Sequence, residues 1–250
     1  MKKIFPLIIF LISFTSCEVP DSLIQVVNQN LPLTEQEVVS GLKEALKVST
    51  DTAVNVVSAI NGYFGDNMIK ILLPPEADII VKNKNNALLQ AAGITKFIND
   101  AELSLNRAAE NAAKSATPIF VNAIKSMTIA DAFDILNGSD TAATHYFRQK
   151  TYGHLENLFN SQIKKSLKKP LTHGISADKA WTSLTTTYNE VAAVVPGWNK
   201  VDVQLDEYVT HKALNGLFIK IAQQEKQIRT NPHAQVTDIL KRVFGEKITF

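Results

Sequence analysis

One cysteine, ten glycines, nine prolines and four arginines among 250 residues set the first limits. A lone thiol cannot close an internal disulfide, so a disulfide scaffold is excluded. Glycine falls below the usual ~7%, which argues against a turn-rich β architecture. No excess of one charge sign is present either: 26 basic residues face 24 acidic ones. A general nucleic-acid binder needs a basic excess or a dense basic face, and that class is excluded. What is present is enough apolar material for a core, with 45% hydrophobic and 20% charged residues. Disorder and collagen-like repeats are thereby excluded as well.

The N-terminal segment carries a second kind of information. Lys2 and Lys3 precede the apolar run Ile4 to Ile12, broken by Pro6, and then Ser13-Phe14-Thr15-Ser16-Cys17. The run is about half the ~20 residues that a membrane-spanning helix requires. A basic start, a short apolar stretch and small residues before a break make a secretory signal over 1–16. Phe14-Thr15-Ser16-Cys17 is similar to a bacterial lipobox, in which the cysteine is acylated and becomes the mature N-terminus. Acylation of Cys17 would also explain why an exported chain keeps a single thiol. More than one acyl chain anchors stably where one binds only marginally. The expectation is an exported protein held to a Gram-negative envelope membrane and facing the periplasm, with 17–33 as an acylated tether.

Behind the tether the pattern is helical. Thr34-Glu35-Gln36-Glu37 reads as a capping box. Val38, Leu42, Leu46, Ala53, Val56, Val57 and Ile60 then recur at helical spacing, closing near Asn61-Gly62. Further start signals are Pro74-Pro75, Thr117-Pro118, Thr128 with Asp131, Ser139, Ser176 and Asn231-Pro232. Leu205 to Ile228 places Val209, Leu214, Leu217, Phe218 and Ile221 on one face. Only Val201 to Leu205 suggests a strand. The expected fold is all-α, an irregular multi-helix bundle of about eight helices, forming a single domain over 34–250.

Several separated stretches from Asn106 onward share the wording of one family. They include Asn106-Arg107-Ala108-Ala109-Glu110, Pro118-Ile119-Phe120, Met127-Thr128 with Asp131-Ala132, and Asp140-Thr141-Ala142-Ala143-Thr144 with Tyr146-Phe147-Arg148 and Thr151. Asp206-Glu207-Tyr208-Val209-Thr210, Gly216-Leu217-Phe218, Ile228-Arg229, Thr237-Asp238 and Val243-Phe244-Gly245 continue the series. The chain resembles the domain-of-unknown-function family 4197, bacterial exported proteins often carrying a lipoprotein signal. That resemblance implies an exported helical domain over most of residues 34 to 250. It carries over no reaction, ligand, cofactor or catalytic residue.

Residues able to do chemistry are sparse in pattern. His145, His154, His173, His211 and His233 include no pair at i,i+3 or i,i+4, so neither a metal site nor a cofactor is expected. Phosphate-binding and nucleophile-elbow motifs are missing. The arginines stand out against 22 lysines, because Arg suits places that need a planar five-donor fork. Arg107 has Glu110, Arg229 has Glu225 and Arg242 has Asp238 at helix-neighbour spacing, ordinary pairs worth a few tenths of a kcal/mol. Arg148 has no acid at that spacing. It must pair across helices (Glu110, Asp131 and Asp206 are candidates), bind an anion, or stand in solvent.

The stripe Asp140, Thr144, Arg148 and Thr151, joined by Asn106 and Glu110, is therefore the candidate polar site. Gly216 reads as a close helix–helix contact, and Lys164, Lys165, Lys168 and Lys169 as a basic helix end suited to the dipole or to anionic headgroups. The expected role is a non-catalytic binding module, lipid-anchored in the envelope, for a partner protein or an apolar or amphipathic ligand. An envelope enzyme centred on Arg148, with Glu110 or Asp140 as acid or base, and a purely structural envelope protein are the alternatives.

Overall fold

In the computed structural model, the described residues are 33–82, 94–170, 176–193, 200 and 202–244. Residues 1–16 and Cys17, most of the tether, His173 and Pro196-Gly197 lie outside them. The helices are α1 (Glu35–Ser58), α2 (Asp78–Lys82), α3 (Ile94–Ala113), α4 (Thr117–Lys125), α5 (Ile129–Leu136), α6 (Ala142–Leu167), α7 (Ala177–Ala192), α8 (Leu205–Thr230) and α9 (Asp238–Phe244). Short 3-10 turns at Pro75–Ala77 and Pro232–Ala234 precede α2 and α9. Among the described residues there is no strand, and 202–204 are irregular. The protein is an all-α multi-helix bundle.

Two long helices, α6 and α8, form its spine. They run antiparallel: Glu225 near the end of α8 meets the start of α6, while Lys164 near the end of α6 meets Asp206 at the start of α8. α1 packs along α8, α3 along α6, and α4 fits between α1 and α6. At the centre the Phe120 ring stands edge-on to Phe147 at 5.3 Å and to Phe218 at 6.3 Å between centroids. Edge-to-face pairs of this kind add ~0.5–1.5 kcal/mol beyond the area they bury.

Local signals explain most of the boundaries. Thr128 and Asp131 make both bonds of a capping box at the start of α5, Ser176 accepts from the Lys179 amide before α7, and Asn231 caps the turn beginning at Pro232. The apolar stripe of α8 is buried throughout, from Leu205 to Ile228. The first stripe holds through Val57, but Val56 is 42% and Ile60 82% exposed. α1 ends at Ser58, so Ile60 no longer keeps helical register. Asn61 turns the chain with φ of 66°, and Gly62 passes so close to the end of α1 that an added Cβ would lie 2.4 Å from the Val56 carbonyl.

Three expected start or contact signals resolve differently. Thr117 lies inside the first turn of α4, after Ala116 as N-cap, and makes no capping bond. Ser139 does not cap α6; the N-cap is Thr141, without a side-chain bond, and a carboxylate from α8 does the work instead. Gly216 accommodates the Tyr63 ring and Ile69 from the α1–α2 connection, with an added Cβ 2.7 Å from Tyr63 Cε1. The close helix–helix approach is at Gly41, against Val243 of α9.

Candidate functional site

Buried polar side chains in this bundle divide into those that hold backbone and those that face an open groove. Glu225, 4% exposed, accepts from the amides of Ala143 and Thr144 at 2.9 Å each and from the Thr144 hydroxyl at 2.8 Å. A carboxylate there satisfies orphan donors at the positive end of α6. Arg229 bonds Glu225 and donates to the Ile135 carbonyl at 2.7 Å and the Leu136 carbonyl at 3.3 Å, at the negative end of α5. The space beside this pair is only about 10 Å³, at most one water. The pair lies within α8 but clamps the ends of α5 and α6 and is largely shielded from water, unlike the weak surface pair its spacing suggests.

α3 repeats the arrangement. Asn106, fully buried, accepts from the Ile71 amide at 2.9 Å and donates to the Ile71 carbonyl at 2.7 Å, as a neighbouring strand would. One turn later Glu110 accepts from the amides of Tyr63 and Phe64 and from Arg107, whose other nitrogen reaches Asn61 at 2.8 Å. These two side chains fasten the irregular segment 61–71 to the bundle. The Tyr63 hydroxyl donates to the Ala213 carbonyl at 2.7 Å. Burial, and then the nearby Glu110 charge, push its phenol far above the ordinary range.

The stripe expected around Arg148 is not a single site. Thr144 is buried on Glu225, and Thr151 is buried with its hydroxyl on the Phe147 carbonyl. Asp140 stands exposed in the turn before α6, and Asn106 and Glu110 serve the 61–71 segment. Arg148 is exposed and pairs with no acid among the described residues: its fork contacts the Asn215 side-chain oxygen at 3.4 and 3.5 Å and lies 4.6 Å over the Phe218 ring. The acids proposed for it are engaged elsewhere, Asp131 with Thr128, Asp206 with Lys164 and Glu110 with Arg107. Arg242 meets Glu37 across helices at 2.9 Å, while Asp238 meets Lys241.

Two turns beyond Arg148 along the same α6–α8 seam, an open groove of about 460 Å³ appears. Glu156, Asn157, Asn160 and Ser161 of α6 form one wall, and Glu207, Thr210 and His211 of α8 the other. His211 Nδ1 lies 3.0 Å from the Tyr152 hydroxyl and 3.6 Å from Glu156 Oε1. Burial chiefly, and then Glu156, raise the Tyr152 phenol. Thr210 lines the groove at 1% exposure, and its hydroxyl has no partner among the described residues. A buried hydroxyl without a partner costs about 1–3 kcal/mol, an expense that recurs at binding sites.

Sequence spacing hides this groove because its two walls come from segments about 50 residues apart. The available signal is the i,i+4 recurrence of polar residues (Glu156 with Asn160, Asn157 with Ser161, Glu207 with His211) on helices whose opposite faces are apolar. Among the described residues, no three His, Cys, Asp or Glu side chains converge to hold a metal. No helix among them is long and apolar enough to cross a membrane.

A family model described as Protein of unknown function (DUF4197) matches residues 32–245, and the chain belongs to that family. No curated protein and no solved structure matches the chain.

Proposed function

We propose that this family member is an exported cell-envelope protein, acylated at Cys17, whose helical body is a non-catalytic module that binds a polar ligand in the α6–α8 groove. The groove itself is the observation that carries the binding reading. Elsewhere in the bundle the buried polar groups Asn106, Glu110 and Glu225 are saturated by backbone and by arginine. Amide, hydroxyl and carboxylate side chains line the groove, and the Thr210 hydroxyl has no partner among the described residues. An open groove of this volume has room for a small polar molecule. The envelope location is supported by the basic start, the short apolar run and the lipobox-like Phe14 to Cys17.

Mass spectrometry of the protein purified from its native membrane in mild detergent tests both parts. The expected mature chain begins at Cys17, carries acyl mass and retains a small polar molecule. A mature chain that begins elsewhere without acyl mass overturns the anchor. A preparation that retains no small molecule, with groove amides indifferent to a native envelope extract, overturns the binding role.

A further inference from the structure

We infer that the α6–α8 groove selects a ligand that presents a primary ammonium group beside neutral hydrogen-bonding groups; this rests on the reading of the groove as a binding site. Charge is the first reason. Glu156 and Glu207 both line the groove, and among the described residues no lysine or arginine does. Nearby cations are turned to other partners: Lys164 to Asp206, Lys212 to the face of Tyr208, and Arg148 to Asn215 and Phe218. The two carboxylates bracket His211. Glu156 Oε1 is 3.6 Å from its Nδ1, and Glu207 precedes it by one helical turn, ~6 Å along the axis. An ammonium has three donors and no acceptor, and matches that acceptor-rich pair.

The remaining wall decides what else the ligand must carry. Asn157, Asn160 and Ser161 supply donors and acceptors together, and Thr210, which also lines the groove, has a buried hydroxyl with no partner among the described residues. That hydroxyl is independent of the carboxylates and marks the groove as more than an acidic surface. An anionic ligand meets two like charges here. An apolar one strips water from the walls without replacing its hydrogen bonds. Amino sugars and linear polyamines both present the required ammonium, and the probes below separate them.

The test is amide-resolved NMR titration of the mature full-length chain with glucosamine, glucose, glucuronate and putrescine. Glucosamine or putrescine should shift amides within 156–161 and 207–211, with glucose at least about tenfold weaker. Preference for glucosamine over putrescine assigns the ligand to amino sugars, and the reverse to polyamines. Glu207→Gln should weaken amine binding by about tenfold or more, the size of one charge-assisted hydrogen bond. Glu156→Gln serves the same purpose if the first variant does not fold. Glucose binding as tightly as glucosamine, or glucuronate binding best, overturns the ammonium rule while leaving the groove a binding site. If all four probes leave these amides unmoved, the proposal fails, and the broader binding role then stands only if a retained native ligand shifts them.

Discussion

Glu225 and Arg229, one turn apart on α8, bind opposite poles of two successive helices: the carboxylate holds the amide end of α6, and the guanidinium the carbonyl end of α5. Each charge faces the helix pole of opposite sign, and each neutralises the other. Glu225 is buried and the Arg229 side chain is only 13% exposed, so removing either leaves a poorly compensated charge, at a cost approaching the ~3–5 kcal/mol of a broken buried pair. Glu225→Gln and Arg229→Met should each lower urea stability by several kcal/mol. The double variant should cost clearly less than the two single losses added together; additive losses would mean that the pair does not act as a unit.

Asn106 has a different task and a local readout. It supplies both hydrogen bonds of the Ile71 peptide, so Asn106→Ala should cost about 1–3 kcal/mol for each orphaned group. Hydrogen exchange at the Ile71 amide should accelerate before exchange in α8 does. Uniform acceleration along the chain would show that the 61–71 segment is not held separately.

Two glycines in long helices make an internal control. Gly216→Ala gains up to ~1 kcal/mol of helix propensity, but its methyl carbon would sit 2.7 Å from the Tyr63 ring. Overpacking of that kind costs ~1–3 kcal/mol, so the net effect should be destabilising. Gly153 has nothing within 4 Å of an added Cβ, and Gly153→Ala should raise the melting temperature.

Arg148 offers a test of burial. Its guanidinium is exposed over Phe218, where a cation–π contact is worth about 0.5–1 kcal/mol. Arg148→Met should therefore change stability by less than about 1 kcal/mol in chemical denaturation. A loss near that of a severed buried pair would contradict the exposed placement.

Stability against pH has two separable limbs. Lys220 bonding to Asp66, aided by the Met68 amide, holds that carboxyl below its ordinary value. A depressed carboxyl contributes stability above its unfolded value of about 4, lost as pH falls through the lower folded value. Asp66→Asn should flatten this acid limb. Tyr63 is shifted upward by burial, so its contribution is complete below the unfolded value of about 10 and declines at higher pH. Tyr63→Phe should flatten the alkaline limb. Urea midpoints measured across pH would show each limb separately.

Features written in neighbouring residues were legible in advance. Helical class, the Thr128–Asp131 capping box and the buried stripe of α8 follow from spacing and capping chemistry that act within a turn or two. The exposed Ile60 misled because the apolar periodicity runs two residues past the end of α1 at Ser58. Arg229 misled in another way: its neighbour Glu225 is the partner expected, but nothing local reveals that Glu225 is buried and that Arg229 reaches the carbonyl end of α5.

Amphipathic periodicity alone was enough to make this chain helical, because each helix is chosen by contacts a few residues long. Which acid is sealed, which arginine is exposed and where polar faces meet depend on docking between residues tens of positions apart, such as Glu225 with Ala143 or His211 with Tyr152. Burial and partner geometry arise only when α6 and α8 come together. The groove along that seam, and the uses of Asn106 and Glu110, belong to the assembled bundle.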